Sequence, residues 1–172
     1  MEEPYLPFFS EIAAREHIAY RRLLSAKLSL LQKSFPGRGN LTAREIALAG
    51  FRGAERETVA LAREIVLHDV FFSSFSAKQG KVPAALHRYS SDAAFRYDLF
   101  LTAKGARDGF LCVFCNRRGD ACFEIASPPD FRLTVLPRLA VDLAEHAYFY
   151  DFGFDQERYL SVALSCLDLS KL

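Results

Sequence analysis

From Phe8 to Phe35 the chain carries neither glycine nor proline, and Ile12, Glu16, Tyr20, Leu23, Leu24, Leu28 and Leu31 recur near helical spacing. That pattern predicts a first helix, which Pro36, Gly37, Gly39 and Asn40 bring to an end. Thr42 followed three residues later by Glu45 is a capping box, in which hydroxyl and carboxylate each take an orphan amide at a helix start. A short helix should run from there to about Gly50. A third spans about Glu55 to Ala77, with Val59, Ala62, Ile65, Val66 and Val70 on its apolar side. Gly80 to Pro83 marks a boundary, dividing a helical lobe (1–79) from a second lobe (80–172).

The pattern then changes. A short helix near Ala84–Leu86 and another over Ser91–Thr102 precede β-branched and aromatic runs at Gly109–Phe114 and Ala121–Ile125, joined by the turn residues Asn116 to Asp120. Leu133–Leu136 reads as a third strand, and helices over about Ala144–Tyr150 and Gln156–Asp168 close the chain. The fold class is α+β: a helical N-terminal lobe, then a lobe with a three-stranded antiparallel sheet flanked by helices.

Composition narrows the function classes. Lys and Arg number 22 against 21 Asp and Glu, which gives no basic surplus for nucleic acid or an acidic membrane. No window is apolar enough for a membrane helix, and the acidic start Met1-Glu2-Glu3-Pro4 is unlike a secretion signal. Cys112 and Cys115 form a C-x-x-C, but on a strand residues three apart face opposite sides and cannot chelate one ion. The four cysteines read as reduced thiols of a cytoplasmic protein.

Candidate chemistry gathers at Asp142-Leu-Ala-Glu-His146-Ala-Tyr-Phe149. With Asp142 ending a strand and His146 one helical turn on, a carboxylate and an imidazole share one pocket, a pairing suited to a hard or borderline metal ion. Glu145 beside the histidine can orient an imidazole through its free ring nitrogen.

This segment resembles the D-V-W-E-H-A-Y-Y signature of the iron/manganese superoxide dismutases. Leu67-His68-Asp-Val-Phe-Phe72 is similar to the family's N-H-x-x-F-W, Gly109-Phe-Leu-Cys-Val113 to its G-W-x-W-L strand, and Glu157-Arg-Tyr-Leu160 to its last helix. His17-Ile-Ala-Tyr20 is similar to the end of its H-x-x-x-H-H-x-x-Y-V helix. The resemblance implies that fold, a metal site with His68, Asp142 and His146 as ligands, and Tyr20 as the pocket tyrosine. It also implies iron or manganese as cofactor, with zinc acceptable by ligand type, and superoxide as substrate. The expected partner is a second copy of the chain, with Glu145 reaching across a homodimer interface toward the other subunit's ligand histidine.

Departures from the family set further expectations. Its fourth ligand, a histidine, falls eight residues before Tyr20, on Ile12, which has no donor atom. The gateway histidine falls on Glu16, the pocket tryptophans on Phe72, Phe110, Cys112 and Ala144, and no glutamine stands at Ala126 or Ser127. Glu64, four residues before His68, occupies the place of the iron-type glutamine. Glu64, or failing that Glu16, is therefore the candidate replacement ligand, in a site of two histidines and two carboxylates. These departures imply a divergent member with weak or absent dismutation, in which Ile12→His should strengthen metal binding. The alternative is a dismutase-fold scaffold or interaction protein without metal.

Overall fold

Helix α1, Glu11–Lys33, buries Ala13, His17, Leu24 and Leu28, a seam recurring at intervals of three to four residues or their sums. The structure, a computed structural model, describes residues 5–33, 41–49, 56–76 and 83–172. The expected break at 36–40 and most of the proposed lobe boundary (80–82) lie outside the described residues, as do the expected ends of the first and third helices.

The capping box forms as its spacing predicts. The Thr42 amide donates to Glu45 Oε2 (2.7 Å) and the Glu45 amide to Thr42 Oγ1 (3.2 Å), opening α2, Ala43–Ala49. Helix α3, Arg56–Ser73, is the most enclosed: Val59, Leu61, Ala62, Ile65, Val66, Leu67, His68 and Phe71 are all buried, because α1, α2 and the sheet pack around it. A 3-10 turn at Ala84–Leu86 leads to α4, Asp92–Ala103, where Ser91 Oγ accepts the Ala94 amide as N-cap.

Strands β1 (Phe110–Cys115) and β2 (Ala121–Ala126) pair as an antiparallel hairpin in the register Cys115↔Ala121. Its turn is built by Asn116, whose side-chain oxygen accepts the amides of Arg118 (2.8 Å) and Asp120 (3.0 Å), and by Gly119 at φ +84°. The third strand corrects the sequence reading. It is β3, Leu139–Asp142, not Leu133–Leu136, and it pairs antiparallel with β1 to give the order β2-β1-β3. Leu133 does enter the core, but the following Pro137 cannot donate to a ladder. Pairing begins just beyond it, where the Arg138 amide reaches the Val113 carbonyl at 2.7 Å. All four β3 residues are buried, so the strand lacks the alternation that marks half-exposed strands.

Helices α5 (Glu145–Phe152) and α6 (Gln156–Ser165) and a final 3-10 turn, Leu169–Lys171, complete an α+β fold with six α-helices and one three-stranded antiparallel sheet among the described residues. None of these helices is long and apolar enough to cross a membrane. The four cysteines are free; Cys112 is buried on β1 and Cys115 donates to the Leu172 carbonyl.

Gly109 sets the angle at which β1 leaves its preceding turn. It has φ +85°, and a Cβ built there would stand 2.5 Å from the Ala126 carbonyl oxygen. The Gly109 carbonyl also accepts the Leu143 amide (2.9 Å), tying β1 to the residue after Asp142. Gly109→Ala should therefore cost about 2–4 kcal/mol, from left-handed strain together with a backbone clash. Urea denaturation checks this. A loss under about 0.5 kcal/mol would show that the turn relaxes freely.

Candidate metal centre

Four elements each deliver one ligand-type side chain to one point. Contacts of α1 with α3 and α5, and of α3 with β3, bring together His17 from α1, His68 from α3, Asp142 from the end of β3 and His146 from the first turn of α5. One donor atom from each lies within 4.8 Å of every other. The Nε2 atoms of His17, His68 and His146 stand 3.1, 3.3 and 3.1 Å from a single oxygen, Asp142 Oδ2. Bonds of about 2.0–2.2 Å to a common ion separate neighbouring donor atoms by about 3–3.5 Å, and the three nitrogen-to-Oδ2 distances fall in that range.

The protons cannot be arranged comfortably without a cation. His68 Nδ1 sits 2.8 Å from the Glu64 carbonyl oxygen, which only accepts, so Nδ1 carries the hydrogen. In the neutral ring Nε2 is then a bare lone pair facing a carboxylate oxygen. Buried His68 Nε2 and His146 Nε2 both lack a hydrogen-bond partner despite their closeness to Oδ2, as does His17 Nδ1. Unsatisfied polar atoms are scarce in protein interiors, and here three of the four buried side-chain cases among the described residues fall in one cluster. An ion among the nitrogens would satisfy His68 and His146 directly, and the donor set of three imidazoles and one carboxylate fits iron, manganese or zinc.

The ligands are held from behind. Asp142 Oδ1 accepts the Ala144 amide (3.0 Å), and the buried Tyr159 hydroxyl donates to the Asp142 carbonyl (2.8 Å). His68 is oriented by Glu64 as described, a carbonyl–imidazole contact that fixes which nitrogen faces inward. Phe71 and Phe72 lie 4.9 and 5.3 Å from the His17 ring, and Phe110 lies 5.1 Å from His68, so phenylalanines form the apolar wall.

Electrostatics follow the carboxylate. Burial by itself raises the Asp142 carboxyl, but the three imidazoles outweigh it and hold the group well below the usual carboxylate range. His17 is drawn below its ordinary value by burial, against the pull of Asp142. For His146, burial lowers the value, yet the Asp142 carboxylate, with Glu64 and Asp108 farther off, raises it overall. In metal-free protein, imidazole NMR should therefore find the His146 midpoint above about 6.5 and that of His17 below it. The signs for stability follow by linkage. His146 contributes stability that is present below about pH 6.5 and lost as pH rises through its raised value. The cost of protonating His17 appears as pH falls from about 6.5 toward its lowered value. The contribution of Asp142 is lost only in acid, below the ordinary carboxyl range. Coincident midpoints for the two histidines would contradict this ordering.

The placement of the residues anticipated from sequence is mixed. His68, Asp142 and His146 come together. Ile12 does not reach the cluster: it is 56% exposed on α1, and His17, five residues on, takes the inward position. The seam of α1 runs through Ala13, His17, Leu24 and Leu28, so a helix phase drawn through Ile12 and Glu16 points the wrong face inward. That seam is the sequence signal for His17. Glu64 stands outside the four-residue group; its carboxylate accepts the Tyr20 hydroxyl at 2.8 Å. Tyr20 lies over the His146 ring, centroid to centroid 4.2 Å, and burial together with Glu64 raises its phenol well above the ordinary value. Glu16 and Glu145 are exposed, and both line an open groove of about 620 Å³ whose floor is Tyr20 and His146. No family model matches the chain, and no curated protein matches it either.

Proposed function

We propose that this protein is a mononuclear metalloprotein, a divergent relative of the iron/manganese superoxide dismutases, with His17, His68, Asp142 and His146 as its ligands. The observation that carries the reading is the convergence of three imidazole nitrogens on one buried carboxylate oxygen, two of those nitrogens having no hydrogen-bond partner. The α+β architecture and the colinear motifs support the family likeness. A bound iron or manganese would supply reversible one-electron chemistry.

The chain's own groups determine how well superoxide is served. Tyr20 closes one side of His146, and its hydroxyl donates to the Glu64 carboxylate, which places a proton beside the cluster, close to a reacting molecule. A carboxylate at position 64 adds negative charge where the family places a neutral amide. Glu16 and Glu145 line the groove through which an anion approaches. Each opposes an anionic substrate, so turnover is weak or absent. The same reading assigns the exposed Leu23, Phe149 and Tyr150 around the groove to a twofold contact between two copies, with Glu145 of each turned toward the other's site.

Elemental analysis of the purified protein, and of protein loaded with Fe(II), Mn(II) or Zn(II), tests the ligand assignment beside a dismutation assay. The expected result is near-stoichiometric metal with dismutation far below that of ordinary dismutases. Protein that takes up none of the three while remaining fully folded would overturn the metal assignment and favour a scaffold.

A further inference from the structure

Ligands to one metal must stand within about 0.5 Å and 10–20° of a working geometry. The apolar seam of α1 selects the side of the helix that turns inward. Apolar contact is non-directional, however, and tolerates small rotations. About 5–6 Å from a helix axis, a rotation of about 10° moves a side-chain tip by about 1 Å. His17 therefore calls for a directional tie between α1 and α3, the helix that carries His68.

Such a tie stands one turn on from His17. Arg21 Nε donates to Asp69 Oδ1 and its Nη2 to Asp69 Oδ2, both at 2.8 Å, while Nη1 donates to Ser25 Oγ (2.8 Å). Two parallel bonds between planar groups fix orientation as well as distance. Asp69 directly follows His68, and the rings of His17 and His68 lie 5.1 Å apart, edge to face. The Tyr20–Glu64 hydrogen bond joins the same two helices four residues before His68, so the two ties straddle that residue on α3. The Arg21 side chain is largely covered and that of Asp69 is half exposed. A pair in this setting adds little to global stability; its consequence is geometric.

We propose that Arg21 and Asp69 are positioning residues for the metal centre, their bidentate pair holding His17 in register with His68. This role rests on the ligand assignment made above.

Chelator competition with Zn(II) on the full chain, paired with imidazole NMR of the metal-free protein, tests it. Arg21→Gln is expected to lower Zn(II) affinity about tenfold, with little change in the urea midpoint. Arg21→Lys keeps the charge but loses the planar fork, and should fall between Arg21→Gln and the parent. The exchanged pair, Arg21→Asp with Asp69→Arg, should bind more tightly than either of its single variants. Lys27→Gln breaks another ion pair between α1 and α3, Lys27–Glu57 at 3.0 Å, and should leave affinity unchanged. In metal-free Arg21→Gln the His17 ring signals should shift, because Nε2 moves relative to Asp142 Oδ2, now 3.1 Å away. Those of the exposed His87 should not. Affinity of Arg21→Gln within about twofold of the parent, or an equal loss in Lys27→Gln, would overturn the clamp. If the parent binds no Zn(II), the ligand assignment itself fails, and unmoved His17 signals in Arg21→Gln then overturn the clamp separately.

Discussion

Asp142→Asn is expected to lower affinity for Fe(II), Mn(II) and Zn(II) by at least about a thousandfold while leaving the chain folded. The substitution is nearly isosteric, and the side-chain oxygen that accepts the Ala144 amide can be kept, so the link between β3 and α5 survives. The opposite atom changes character. Oδ2, an anionic acceptor 3.1–3.3 Å from three imidazole nitrogens, becomes an amide NH2 that points two hydrogens at a cation. The cluster thereby loses its only negative charge and one of its four donors. Competition against a chromophoric chelator measures the loss. In the metal-free variant the His146 midpoint should fall, because the carboxylate that raises it is gone. Affinity within tenfold of the parent would mean that Asp142 is not a ligand.

His17→Ala should weaken metal binding, whereas Ile12→His should not give the gain that the family likeness implies. The first removes a buried imidazole packed 4.9 Å from Phe71 and 5.9 Å from Phe9, leaving a cavity and a three-ligand site. Metal affinity should drop about a hundredfold or more, with about 1–3 kcal/mol of stability lost in the metal-free protein. Ile12→His changes an exposed position and should alter affinity less than about twofold. Chelator competition on both variants decides the point. A gain in affinity from Ile12→His would show that α1 is rotated relative to the orientation described here.

Much of the fold was legible because it depends on local rules. The capping box at Thr42, the helix expected over about Ser91–Thr102 and found at Asp92–Ala103, and the hairpin around Asn116–Asp120 all rest on interactions spanning a few residues. The third strand did not obey such a rule. Leu133–Leu136 has strand composition, but it precedes Pro137, whereas Leu139–Asp142 is buried throughout and shows no alternation. Its strand character comes from β1, with which it pairs residue by residue from Val113↔Leu139 to Phe110↔Asp142.

The candidate site divides along the same line. Spacing alone puts His146 four residues, one helical turn, after Asp142, and periodicity alone puts His68 on an apolar helix. Glu64, one turn before His68, was likewise visible as its neighbour. Which residue of α1 faces them depends on how that helix packs. A helix turns by about 100° per residue, so Ile12 and His17, five residues apart, lie about 140° apart around α1, and exchanging one for the other means choosing the opposite side of the helix. The packing of Ala13, Leu24 and Leu28 against the core sets that phase. The carboxylate's relation to three imidazoles from α1, α3 and α5 is likewise a product of packing, because no local pattern encodes a point where four separate elements meet.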